Sequence, residues 1–66
     1  MNSFKNKIDF ITIEIDGKAY DYPKYMPIPR IGEEVCLYDS KIAIVKSVLY
    51  QISNNLKMIT ITTENI

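Results

Sequence analysis

Few side chains in this sequence are equipped to make or break a bond. Histidine is absent, which removes the commonest general base and the commonest transition-metal ligand together. Ser–His and Cys–His nucleophile arrangements are therefore impossible within one chain. Zinc sites that need histidine are excluded likewise, and one cysteine is too few for the rest. Only Gly17 and Gly32 are present, so there is no glycine-rich phosphate loop. Glu33-Glu34 supplies two adjacent carboxylates, but neighbours on a strand point to opposite faces and do not converge on one atom. Cys36 would be a reactive thiol if exposed near a lysine. As a lone cysteine in an apolar strand it reads better as a small buried side chain. No catalytic residue, cofactor or metal site is expected, and no enzymatic activity.

What remains is chemistry of contact. Tyr20 and Tyr22 alternate with Ala19 and Asp21 and fall on the core-facing side of a strand. Tyr25 lies in a proline-marked segment, and Tyr38 beside a turn. With Met26, Ile28 and Arg30 these two make the candidate partner-binding set, since Tyr, Met and Arg are enriched at interfaces and loops on rigid scaffolds carry binding. The rival reading has the same segment folded down as a lid over one barrel end, and it is favoured because a small barrel needs its ends plugged. Lys41, Lys46 and Lys57 form the alternative set, cations for nucleic-acid phosphates with a tyrosine stacking on a base.

Charge weighs on that choice. Eight Lys/Arg balance eight Asp/Glu, and a neutral chain starts without the phosphate neutralisation on which nucleic-acid affinity rests. Locally, residues 9–22 hold Asp9, Glu14, Asp16 and Asp21 against Lys18, whereas residues 35–63 hold the three lysines against Asp39. That split would make one end acidic and the other mildly basic, but a solvated surface of mixed signs is the favoured reading.

At 66 residues the chain has room for one domain, which buries only about 60% of its unfolded surface. Hydrophobic residues are 47% of it, so some are expected to face outward or meet another subunit. A protein partner is the first expectation, and a homo-oligomer built by edge-strand pairing is another. A single cysteine forbids an intramolecular disulfide and suits a reducing cytosol. No apolar stretch follows Met1–Lys7 as in a signal peptide, and none approaches the roughly 18–20 residues that span a bilayer. A cytoplasmic protein without membrane contact is expected. Its wealth of Ile, Lys and Asn suits an AT-rich genome, a bacterium or its phage.

The positioning elements read as strands throughout. Met1–Lys7 is polar and expected to fray. Ile11, Ile13 and Ile15 alternate with Thr12 and Glu14 at the period of a half-buried strand. Ile8 and Phe10 have the other parity, so a bulge near Phe10–Ile11 or cover on both faces is expected. Asp16-Gly17 favours a two-residue type I′ turn, which sets Ile15 against Lys18, Ile13 against Tyr20 and Ile11 against Tyr22. Pro23 ends the second strand or confines it to an edge, Tyr25-Met26-Pro27-Ile28-Pro29 cannot be helical, and Gly32 supplies a turn. A tight turn at Asp39-Ser40 would place Leu37 opposite Ile42 and Val35 opposite Ile44. The next strand, Lys41 to about Ser53, is apolar on both sides, as in a bent strand serving two sheets. Asn54-Asn55 turns the chain, asparagine tolerating the left-handed region, and aligns Tyr50 with Ile59 and Val48 with Ile61.

The expected fold is all-β. It is a small five-stranded, strongly bent antiparallel sheet or barrel: a hairpin at 8–22, a crossing at 23–33 and a three-stranded meander at 34–63. This arrangement resembles the small SH3-like barrels, and Pro29-Arg30-Ile31-Gly32-Glu33-Glu34-Val35 is similar to the segment in which their glycine precedes an inward valine. The resemblance implies a fold and no specific activity, since the glycine-rich motifs of the ribosomal and transcription-factor members are missing. A minimal OB-like barrel is the alternative.

Overall fold

The computed structural model describes residues 8–36 and 41–65. Met1–Lys7 and the Leu37–Ser40 segment, with its expected turn, lie outside them. Five strands follow in order: β1 (Phe10–Ile15), β2 (Lys18–Asp21), β3 (Glu34–Cys36), β4 (Ile42–Ile52) and β5 (Lys57–Asn65). They form one sheet in the order β2-β1-β5-β4-β3, curled into a half-barrel.

The first hairpin forms for the reason its sequence suggests. Asp16 and Gly17 have φ of 59° and 81°, the positive values a type I′ turn demands at both central residues. Ile15 then pairs with Lys18 and Ile13 with Tyr20, and the Tyr22 N–H donates to the Ile11 carbonyl at 2.8 Å. β3, β4 and β5 make the expected antiparallel meander, with Tyr50 opposite Ile59 and Val48 opposite Ile61.

One pairing departs from an antiparallel sheet. β1 and β5 run parallel, Ile11 beside Ile59 and Ile13 beside Ile61, so the sheet is mixed. Isoleucines on both strands turn the same way, and joining them buries a continuous apolar row that neither half buries alone. Ile13, Ile61, Val45 and Ala43 are wholly buried, with Ile11, Ile15, Ile59 and Tyr22 nearly so. At about 1.5–3 kcal/mol per fully buried aliphatic side chain, this ladder is the main source of stability. Both ends are fastened. The Asp9 N–H donates to the Lys57 carbonyl and the Lys57 N–H to the Asp9 carboxylate, each at 2.8 Å, while the Thr63 hydroxyl donates to the Glu14 carbonyl at 2.7 Å.

Three local expectations are corrected. Val35 pairs with Ala43, not Ile44, and Cys36 with Ile42. The β4–β5 pairing carries a bulge between Val45 and Ser47, which turns Ala43 rather than Ile44 towards the core, so Val35 on the inward face meets Ala43. Lys46 is the extra residue, so Ala43 and Val45 share the core face with Val48 and Tyr50, and Ile42 is exposed. The bulge expected near Phe10–Ile11 is absent from the β1–β5 register; Phe10 faces solvent and Ile8 packs against the core from before the strand. At the last turn neither asparagine takes a positive φ. The Ser53 hydroxyl accepts from the Leu56 N–H at 3.0 Å, and the Ser53 N–H donates back to the Leu56 carbonyl at 2.9 Å.

Ile13→Val trims one methyl group from the centre of the core, whereas Ile52→Val trims a residue that is 75% exposed. Urea denaturation should show the first losing about 1 kcal/mol and the second almost none.

Candidate functional site

The half-barrel leaves a seam. β2 and β3 are the two edges of the sheet, and residues 22–33 carry the chain from one to the other. Two turns shape this crossing. The Met26 N–H donates to the Pro23 carbonyl at 3.2 Å, a four-residue turn that leaves Tyr25 at its tip, 88% exposed. The Glu33 N–H donates to the Arg30 carbonyl at 3.0 Å, with Gly32 third in the turn at φ 95°. That is the position a type II turn reserves for glycine.

Hydrogen bonds tie the second turn down on both sides. The Arg30 N–H donates to the Glu33 carboxylate at 2.7 Å. Gly32 donates to the Val45 carbonyl and Val45 donates to the Glu33 carbonyl, each at 2.9 Å, which extends the β3–β4 ladder to the bulge. In the middle, the Tyr22 hydroxyl donates to the Pro27 carbonyl at 2.7 Å. Burial and the nearby Glu33 carboxylate both push the Tyr22 hydroxyl above its ordinary pKa, since each disfavours the phenolate.

Between the crossing and the two edges lies a groove of about 400 Å³. Met26, Pro27, Ile28, Pro29 and Glu33 line it from the crossing, Asp21, Tyr22 and Pro23 from the end of β2 and just beyond, and Glu34 to Cys36 from β3. Its lining is mainly apolar, with Asp21, Glu33 and Glu34 supplying three carboxylates.

The sequence-derived set divides on this geometry. Met26 and Ile28 line the groove, and Ile28 also packs against the core; the crossing is partly lid and partly groove wall. Tyr25 and Arg30 are exposed beside the groove without lining it. Tyr38 lies outside the described residues. Cys36 is exposed, against the expectation of burial, because Val35 takes the inward position at β3 and its neighbour must face out. Of the acidic members, Glu34 was considered from sequence only as a pair with Glu33, and Asp21 only as part of an acidic stretch; nothing there joined the two. They are far apart in the chain and border one groove only because the sheet curls.

The three lysines do not converge. Lys41 precedes β4, Lys46 sits in its bulge and Lys57 opens β5 opposite Ile52. They are therefore spread over on the order of 35 Å along the strand direction. The Lys46 ammonium lies 2.9 Å from the Glu64 carboxylate, an exposed pair. Among the described residues no group of three or more Cys, Asp or Glu is placed to hold a metal ion, and no helix is long and apolar enough to cross a membrane.

A comparison with known proteins found no matching family model, no matching curated protein and no matching solved structure.

Tyr22→Phe removes the bond to Pro27 and should cost about 1 kcal/mol in denaturant unfolding. Its pH signature follows from linkage. A raised folded-state pKa gives stability that is full below the unfolded value of 10.0 and is lost as pH climbs through the folded one. Stability of the wild type should therefore fall above about pH 10, and the phenylalanine variant should fall less steeply in the same titration.

Proposed function

We propose that this chain is a non-enzymatic protein-interaction module whose seam groove holds a short extended segment of a partner protein. The groove itself carries the reading. It combines apolar walls with carboxylates from Asp21, Glu33 and Glu34, which suits an apolar side chain flanked by Lys or Arg. Binding sites of this kind are concave and mostly apolar with a few polar groups fixing orientation. The walls are also stiff. Three prolines restrict the crossing, and the Tyr22–Pro27 and Gly32–Val45 hydrogen bonds hold it, so little ordering entropy opposes binding.

The surroundings fit the same use. Tyr25, 88% exposed, and Met26, 45% exposed, stand where a ligand leaving the groove would meet them, and both residue types are favoured at interfaces. The SH3-like resemblance supports a rigid small barrel with function grafted onto its loops. In the cell such a module acts as an adaptor, or as a small bacterial or phage inhibitor occupying a host protein.

A random peptide library displayed on phage and selected against the purified chain tests this. Enriched peptides should share an apolar residue next to Lys or Arg. Met26→Glu, at an exposed position, should weaken them at least about tenfold, and Glu34→Lys should do the same while reducing the salt dependence. Failure to enrich any sequence, or enriched peptides indifferent to both substitutions, would discard the groove.

A further inference from the structure

β4 is far longer than the strand that flanks it. β3 covers only Ile42 to Ile44, and the turn at Gly32–Glu33 extends that cover to Val45. From Ser47 to Ile52 the strand pairs with β5 on one side, and among the described residues nothing pairs with it on the other. An antiparallel strand directs alternate N–H and C=O groups away from its partner, so this stretch presents a row of unmatched backbone donors and acceptors.

Its side chains do not protect that edge. Free edges are normally guarded by lysine, proline or a bulge, and here the bulge and Lys46 stand at the start of the stretch. Beyond them Leu49, Tyr50 and Ile52 are 55%, 58% and 75% exposed. They lie on both faces of the sheet. Tyr50 is paired with Ile59 on the face that carries the core, and Leu49 with Thr60 on the opposite one.

Charge identifies the occupant. Residues 47–56 contain no charged side chain, the longest such run in a chain where 24% of residues are charged. A two-fold axis sets each residue against itself or a near neighbour in the copy, and like charges directly opposite destabilise a strand pair. A charge-free strand escapes that penalty in any register.

We infer that the Ser47–Ile52 edge of β4 pairs antiparallel with the same edge of a second copy of this chain, joining two half-barrels into one ten-stranded sheet. Continuity of the sheet requires opposed residues to share a face, which places the axis on a residue rather than between two. Centred at Tyr50, the axis sets Val48 against Ile52 of the copy and Leu49 against Gln51, and it brings the two Tyr50 rings together. This keeps apolar residues with apolar ones on the core face. The interface is separate from the seam groove, so a dimer would present two grooves.

Sedimentation velocity across a micromolar concentration series should show a reversible monomer–dimer equilibrium for the unmodified chain. Gln51→Lys and Tyr50→Lys, both at exposed positions, should each weaken it at least about tenfold while the far-ultraviolet spectrum is retained. Ala19→Lys on the β2 edge should leave it unchanged. In a Cys36→Ser background, Tyr50→Cys should form a covalent dimer under mild oxidation, because Cα atoms of directly opposed strand residues lie within disulfide reach, and Ala19→Cys should not. A chain that stays monomeric throughout, a dimer insensitive to Gln51→Lys, or cross-linking through Ala19→Cys would overturn the proposal. Peptide binding in the groove should survive Gln51→Lys, so the two interfaces fail independently.

Discussion

The side-by-side packing of β1 and β5 governs everything else in this molecule. Ile11 and Ile13 on one strand meet Ile59 and Ile61 on the other, and together they fill the centre of a core with few other large side chains. A domain of this size has little interior to spare. Leaving this row apart would expose the apolar face of the hairpin and that of the meander at once. The pairing joins residues some 48 positions apart in the chain, so it is also the contact with the greatest loop-closure cost. Its two ends are fastened by Asp9 and Thr63 side chains, which use side-chain oxygens to hold the register.

Placing β1 beside β5 fixes where the other strands must lie. β2 can only take the outer side of β1, and β4 and β3 the outer side of β5. The ends of the crossing are thereby sent to opposite edges of the sheet. A segment joining such edges must travel over the curled sheet, and Pro27 and Pro29 keep the stretch between its two turns extended. Ile28 packs down onto the core while Met26 and the prolines border open space. The groove is thus a consequence of connectivity. It remains because a five-stranded sheet with this order curls without closing.

The bulge at Lys46 has a comparable reach. By adding one residue to β4 it keeps Ala43 and Val45 on the core face with Val48, although their spacing in the chain changes from two to three. It also marks where β4 leaves the cover of β3 and the Gly32 turn. Beyond it the strand continues as the outer strand of the sheet beside β5, apolar on both faces and unpaired along its other edge among the described residues. Two features of one small domain therefore look outward: a seam with carboxylates around it, and an edge without any charge.

Local chemistry was legible in the sequence wherever a short stretch specified its own geometry. Asp16-Gly17 determined the first turn and hence the Ile13–Tyr20 pairing, Gly32 the second turn, and the period-2 isoleucines the face of β1. The register of Val48 and Tyr50 on β5 followed from the length of the last turn, even though the Ser53 hydroxyl, not left-handed asparagine, closes it. The candidate residues Met26 and Ile28 were readable because prolines mark an irregular segment. What the sequence alone left undecided all depends on contacts between distant segments. The parallel β1–β5 pairing carries no local signal, since an apolar strand face is equally satisfied by either direction of neighbour. The bulge was hidden because Ile42 and Ile44 share the parity of Val48 and Tyr50 in an unbroken strand, and with it went the partner of Val35. The place of Asp21 and Glu34 on one groove was hidden as well. Those carboxylates occupy opposite edges of the sheet, and only the curvature imposed by burying its one apolar face brings them to the same groove.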